Sequence, residues 1–281
     1  FCHEHTTPPG LGGGGAESLL RDQTAALKVL GHTVAWWQGQ GTIAEAVAAF
    51  RPDIVQIGTI HNAIGMVPAE WLLENHVPAV WSVMDYWPFC WPNRMLLKHH
   101  DQSCAAVEGV CDGVCTTGRS KLLMLETVNQ FPVVAFNRYT ADIYRRNGLR
   151  CDYVVELGVD TEMFRPEYVQ RSSEPVVCAS TAWLGYPTKG LHILQAALAG
   201  TPHMARLLTG LPRERIAEEL RKVDIFVFPS CYEETFGLSL CEAMASGCAC
   251  ITTDTAGGKA QVEDGVTGLV VRKRDVEGLR D

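Results

Sequence analysis

The chain has 281 residues, 47% of them hydrophobic and 20% charged, with a net charge of -8. That length supports about two domains with separate cores and the composition excludes disorder, while the even spread of acidic charge argues against nucleic acid as a partner. No apolar run approaches the roughly 20 residues that span a bilayer. Eleven cysteines without small-scaffold spacing fit a reducing compartment, for which the cytoplasm is the expectation. The chain opens at Phe1-Cys2-His3 without an initiator Met, so both ends read as cut and any targeting segment ahead of Phe1 would go unseen.

Strand and helix patterns alternate along the chain, which predicts parallel sheets covered by helices. A glycine loop at 11–15 leads into an amphipathic helix that stops at Gly31, and a short strand is expected over 32–35. Residues 43–50 read as helix, 52–57 and 77–83 as buried strands, 131–136 as another strand and 140–147 as helix. A polar, proline-bearing stretch through Pro166 and Pro175 marks a hinge. The expected domains are therefore 1–160 and 161–281. The pattern restarts with a strand over 176–179, a loop ending in Lys189-Gly190 and a helix over 191–198. It continues with a helix over 213–222, a strand over 224–229 and a last strand over 268–271. No further strand is read between 190 and 224, so the second domain is expected to be short.

The segment from Cys231 to Gly247 is the most informative. Glu234 and Glu242 flank a Phe-Gly turn and the start of an apolar helix, so both carboxylates can face one cleft. The amides of Phe236, Gly237 and Leu238 point the same way, at a helix N-terminus that favours anions and hydroxyl-rich ligands. Glu233 reads as a solvated residue at a helix start.

This segment resembles the signature of glycosyltransferase family 4, retaining enzymes with the GT-B fold. The likeness rests on residues 224–230, Glu234, Phe236-Gly237, residues 242–247, Gly257-Gly258 and residues 263–271, and more loosely on Gly158-Val159-Asp160 and Gly12 to Gly15. It implies an α/β chain of two Rossmann-like domains with parallel sheets facing a cleft. The N-terminal domain would take the acceptor and the C-terminal one a nucleotide diphosphate sugar. It also implies roles. Glu234 would hold donor-sugar hydroxyls and Glu242 the ribose diol, while the amides of Phe236, Gly237 and Leu238 would contact sugar or diphosphate. Lys189 would neutralise the leaving diphosphate, the backbone of Gly13, Gly14 and Gly15 would approach the phosphates, and Asp85 would orient the acceptor. Transfer in this family retains anomeric configuration and requires no bound metal or other cofactor. The sequence departs from the pattern in having no arginine over 180–186 and Met84 where relatives often carry histidine ahead of the aspartate.

Cys90, Cys104, Cys111 and Cys115 could hold a structural zinc, although three residues separate the last two and free or oxidised thiols are the plainer reading. Trp36-Trp37 and the stretch from Trp87 to Trp91 could form an acceptor platform or pack in the core. The expected function is transfer of a hexose from a nucleotide diphosphate sugar to a carbohydrate, lipid, peptide or small-molecule acceptor, with peripheral membrane contact left open. A degenerate nucleotide-sugar binding module without turnover, or a GT-B sugar-nucleotide epimerase, are the alternatives.

Overall fold

A computed structural model describes residues 1–2, 14–60, 64–90, 97–98, 102–103, 118–167, 177–179, 187–203 and 205–281. The chain forms two compact units, one with Phe1, Cys2 and residues 16–156, the other with Gly14, Gly15 and residues 157–281.

In the first unit the elements run α1 (Gly15–Val29), α2 (Ile43–Phe50), β1 (Val55–Ile57), α3 (Val67–Glu74), β2 (Ala79–Ser82), β3 (Leu97–Lys98), β4 (Gln102–Ser103), α4 (Gly118–Val128), β5 (Val133–Ala135), α5 (Arg138–Arg146) and β6 (Tyr153–Val154). The order β1-β2-β5-β6 is parallel throughout, and β3 and β4 make a separate antiparallel pair. Helix starts follow local chemistry. The Thr42 hydroxyl accepts from the Glu45 amide while the Glu45 carboxylate accepts from the Thr42 amide, and Asn137 accepts from the Thr140 amide at the head of α5. Ile57, Trp81, Val133 and Ala135 fill the sheet's interior. The buried Tyr144 hydroxyl donates toward the backbone carbonyls of Val83 and Asp85, which ties α5 to the end of β2.

The expected strand over 32–35 is not a strand here. Pairing falls two residues later, where Trp37 bridges Cys2, and Cys2 in turn bridges Ile57. The Trp37 amide donates to the Phe1 carbonyl and the Cys2 amide to the Gln56 carbonyl. Register is set by Cys2, which is fully buried, rather than by the apolar pair at 34–35.

In the second unit come β7 (Val177–Ala179), a 3-10 turn (Pro187–Lys189), α6 (Leu191–Leu198), β8 (Ala205–Leu207), α7 (Arg213–Leu220), β9 (Ile225–Phe228), α8 (Leu238–Ala245), β10 (Ala249–Thr253), α9 (Ala256–Gln261), β11 (Leu269–Val271) and α10 (Val276–Arg280). Its five parallel strands run β11-β10-β9-β7-β8, with β9 in the middle. Alternation along β9 divides the core. Phe226 and Phe228 pack with Leu220, Val223, Leu240 and Ala243, while Val227 turns the other way onto Leu194 of α6.

This corrects the expectation of no strand between 190 and 224. Three residues, Ala205-Arg206-Leu207, are enough for β8, because it pairs on one side only, with β7. It is too short to show the period of 2 that sequence reading depends on.

Each unit buries a cysteine whose thiol is pushed up to about 12 from an ordinary 9.0, chiefly by desolvation: Cys2 in the first, Cys250 in the second. A thiol that ionises later in the folded chain than in the unfolded one leaves stability intact below about pH 9 and erodes it as pH climbs toward 12. The urea midpoint should therefore fall across that window, and Cys250→Ala should flatten part of the fall. Identical slopes for the two proteins would contradict it.

Candidate functional site

Strand β9 ends at Phe228, and Pro229-Ser230 carries the chain into the loop that precedes α8. Beside it lies the 3-10 turn ending in Lys189. The two are joined through the backbone, where the Cys231 amide donates to the Thr188 carbonyl at 2.8 Å. The next residue, Gly190, has φ +72°, and a Cβ there would fall 1.7 Å from the Pro229 carbonyl oxygen. No side chain fits, so glycine is what lets the turn reach the end of β9.

That approach brings Lys189 onto Glu234. The Lys189 ammonium lies 2.8 Å from Glu234 Oε1 and 2.9 Å from the Tyr232 hydroxyl, and it sits 4.9 Å above the centre of the Tyr232 ring. The Tyr232 hydroxyl donates to Glu234 Oε2 at 2.5 Å, and the Ser230 hydroxyl lies 3.2 Å from Oε1. Glu234 is 6% exposed. A carboxylate buried to that degree requires charge and hydrogen-bond partners, and it has both.

Glu242, also buried, is answered by the first residue of α7. Arg213 Nε donates to Glu242 Oε1 at 2.9 Å, and the guanidinium stacks 5.0 Å above the Phe164 ring. Neither Arg213 nor Tyr232 was picked out in the sequence. Arg213 gives no local signal, because the two residues are far apart in sequence and only the packing of α7 against α8 through Leu220, Leu240 and Ala243 brings them together.

Glu233 is not solvated. It is 3% exposed, pairs with Lys273 at 2.5 Å, and accepts the Ala256 amide at the head of α9 at 2.6 Å. Under the same loop, a Cβ on Gly257 would come within 2.4 Å of the Phe236 carbonyl oxygen, so α9 presses directly against the Phe-Gly turn. Gln261 of α9 donates to the carbonyls of Phe236 and Gly237. Gly237 caps α8 and Leu238 opens it, which leaves the amides of Leu238 and Ser239 ahead of the first bonds of the helix, made by the Leu240 and Cys241 amides to the Gly237 carbonyl. Arg274 closes the far side by donating to the Cys231 carbonyl at 3.0 Å. Burial also pushes the Cys231 and Cys241 thiols up, so neither is an activated nucleophile.

Of the remaining expected residues, Gly15 reaches this loop. Asp85 is in the first unit, past the end of β2, where its carboxylate accepts from the Trp87 amide at 3.2 Å. Gly14 and Gly15 belong to the second unit, and a Cβ on Gly15 would lie 3.9 Å from that of Leu238, while Gly13 lies outside the described residues. Cys90 is buried, and Cys104, Cys111 and Cys115 lie outside the described residues. Among the described residues no three histidine, cysteine or carboxylate side chains are grouped to hold a metal. Trp87 is buried and tilted against Trp81, in core packing.

Residues 189–281 match the family model of glycosyl transferases group 1. The match begins at Lys189 and contains Glu233, Glu234 and Glu242. Among curated proteins, the chain is 37% identical over 86 residues to a D-inositol 3-phosphate glycosyltransferase of Nocardia farcinica, covering 31% of this chain and 19% of that one. A Mycobacterium marinum protein of the same name is 30% identical over 176 residues, covering 48% of this chain and 36% of that one. The chain thus spans well under half the length of these relatives. Among solved structures, it is similar to a sucrose-phosphate synthase from Thermosynechococcus elongatus, with a TM-score of 0.76 and 14% identity over 99% of this chain and 86% of that one. Anabaena Alr3699/HepE, solved in complex with UDP and glucose, gives a TM-score of 0.71 and 18% identity over the same shares of the two chains. The fold is GT-B.

Replacing Gly190 tests how the site is assembled. Gly190→Ala should lower stability by more than about 1 kcal/mol in urea titration, because an alanine there is strained and collides with backbone. A variant as stable as wild type would mean that the turn does not need its close approach to Pro229.

Proposed function

We propose that the chain carries the donor site of a retaining, metal-independent glycosyltransferase of family 4, moving a hexose from a nucleotide diphosphate sugar to an acceptor held by the N-terminal domain. The observation that carries this reading is the juxtaposition of Lys189, Tyr232 and Glu234 at the end of β9, beside a helix start.

The chemistry needs two things in one place. Breaking the bond between the anomeric carbon and the diphosphate leaves the electron pair on phosphate oxygen, and a nearby cation stabilises that charge. The hexose must also be held by its hydroxyls so that the acceptor oxygen bonds to carbon on the face the diphosphate leaves, its proton passing to the departing phosphate. Lys189 supplies the cation and Glu234 the hydroxyl acceptor, with Tyr232 and Ser230 holding Glu234 in place. The amides of Phe236, Gly237 and Leu238 take the sugar or diphosphate. Glu242, oriented by Arg213, takes the ribose diol. Gly13, Gly14 and Gly15 bring backbone to the phosphates, and Asp85 orients the acceptor hydroxyl. Glu234, bound on three sides, is not placed as a free nucleophile, which fits transfer without a covalent enzyme intermediate.

UDP-glucose is the first donor to try, because HepE was solved with UDP and glucose. The cytoplasm is the proposed location and a carbohydrate, lipid or small molecule the proposed acceptor. Release of UDP from UDP-glucose, measured with chelator present, should be detectable in wild type and fall by about 100-fold in Glu234→Ala. UDP binding without turnover would favour a nucleotide-sugar binding module, and loss of turnover on chelation would end the metal-independent reading.

A further inference from the structure

The first unit contains a second concavity that the donor chemistry does not use. Arg21, Thr24, Ala25 and Lys28 lie along one face of α1, and with Trp36 and Gln38 they line a groove of about 400 Å³. The spacing of three, four and seven residues is that of a packed helix face, yet two of these positions hold cations. Among the described residues neither cation is ion-paired, in a chain of net charge -8. Their Cα atoms stand roughly 10 Å apart, seven residues at about 1.5 Å each. Trp36 lies between these ends. Its indole N–H donates to the Thr24 hydroxyl at 2.9 Å, and that hydroxyl donates to the Leu20 carbonyl at 2.8 Å. The ring meets Phe1 at 5.7 Å and 73°. Thr24 and Phe1 thus fix the indole, which is half-buried, and an indole presents a broad apolar surface to a ligand.

We propose that this groove binds an anionic saccharide, a sugar ring stacked on Trp36 with a phosphate or carboxylate substituent held by Arg21 or Lys28. An aromatic platform takes the C–H face of a sugar, guanidinium and ammonium groups take the anion, and the volume suits one or two rings. The site is separate from the donor site and stands or falls without it.

The probe is glucose 6-phosphate, followed by calorimetry on the whole chain, with glucose and inorganic phosphate as controls and Lys189→Ala as the donor-site variant. Glucose 6-phosphate should bind more tightly than either control. Arg21→Gln with Lys28→Gln, a surface double variant that leaves the core untouched, should weaken it at least 10-fold. Trp36→Phe should weaken it less, and Lys189→Ala should leave it unchanged. Equal affinity for inorganic phosphate would reduce the groove to an anion patch and overturn the proposal. So would binding lost in Lys189→Ala but kept in the double variant, or no binding at all. Co-sedimentation with phosphatidylglycerol vesicles that the double variant abolishes, without binding of soluble glucose 6-phosphate, would assign the groove to a membrane surface instead.

Discussion

Three buried carboxylates in one short stretch set the terms for the second unit. Glu233, Glu234 and Glu242 are each less than a tenth exposed, and each is met by a cation from a different part of the chain: Lys273, Lys189 and Arg213. An unpaired carboxylate at such positions would carry a desolvation cost of several kcal/mol. The three cations are thus a condition of the loop's existing in this form. Because they arrive from before β9, from α7 and from beyond β11, the pairs also lock together elements distant in sequence.

The three pairs serve different ends. Glu233 is consumed by structure, joining Lys273 to the head of α9, and α9 in turn supports the Phe-Gly turn through Gly257 and Gln261. Glu234 and Glu242 keep polar partners of the kind a sugar, a ribose or a diphosphate can replace or share. The cation found beside Glu242 also bears on the arginine missing from 180–186. Arginine reaches this region from α7, as Arg213, and from beyond β11, as Arg274, and not from the turn ahead of Lys189.

Much of this was legible in the sequence. Parallel sheets covered by helices, and the strand that delivers the loop, show in local signals such as apolar runs and glycine stops, and the Phe-Gly turn marks out Glu234 and Glu242; the GT-B architecture came only with the resemblance to family 4. The partners did not show. Arg213 and Lys273 sit on a helix start and a loop with no mark to separate them from surface cations, since their meaning comes only from tertiary packing. Glu233 was misread for the same reason. Its sequence context is that of an exposed first turn, and the helix it caps is α9, not α8. Strand β8 was missed because three residues cannot show a period, and the strand over 32–35 was placed early because its real anchor, Cys2, is at the other end of the sheet's chain segment.

The most direct measurement is a calorimetric titration with UDP, GDP and ADP of wild type and of Lys189→Met, which keeps the length of the side chain and removes the charge. The account predicts selective binding of one nucleotide by wild type, weakened by 10-fold or more in the variant, with the fold intact by circular dichroism. Equal binding by the two proteins would show that Lys189 serves only to neutralise Glu234, and would remove the cation on which the proposed transfer depends.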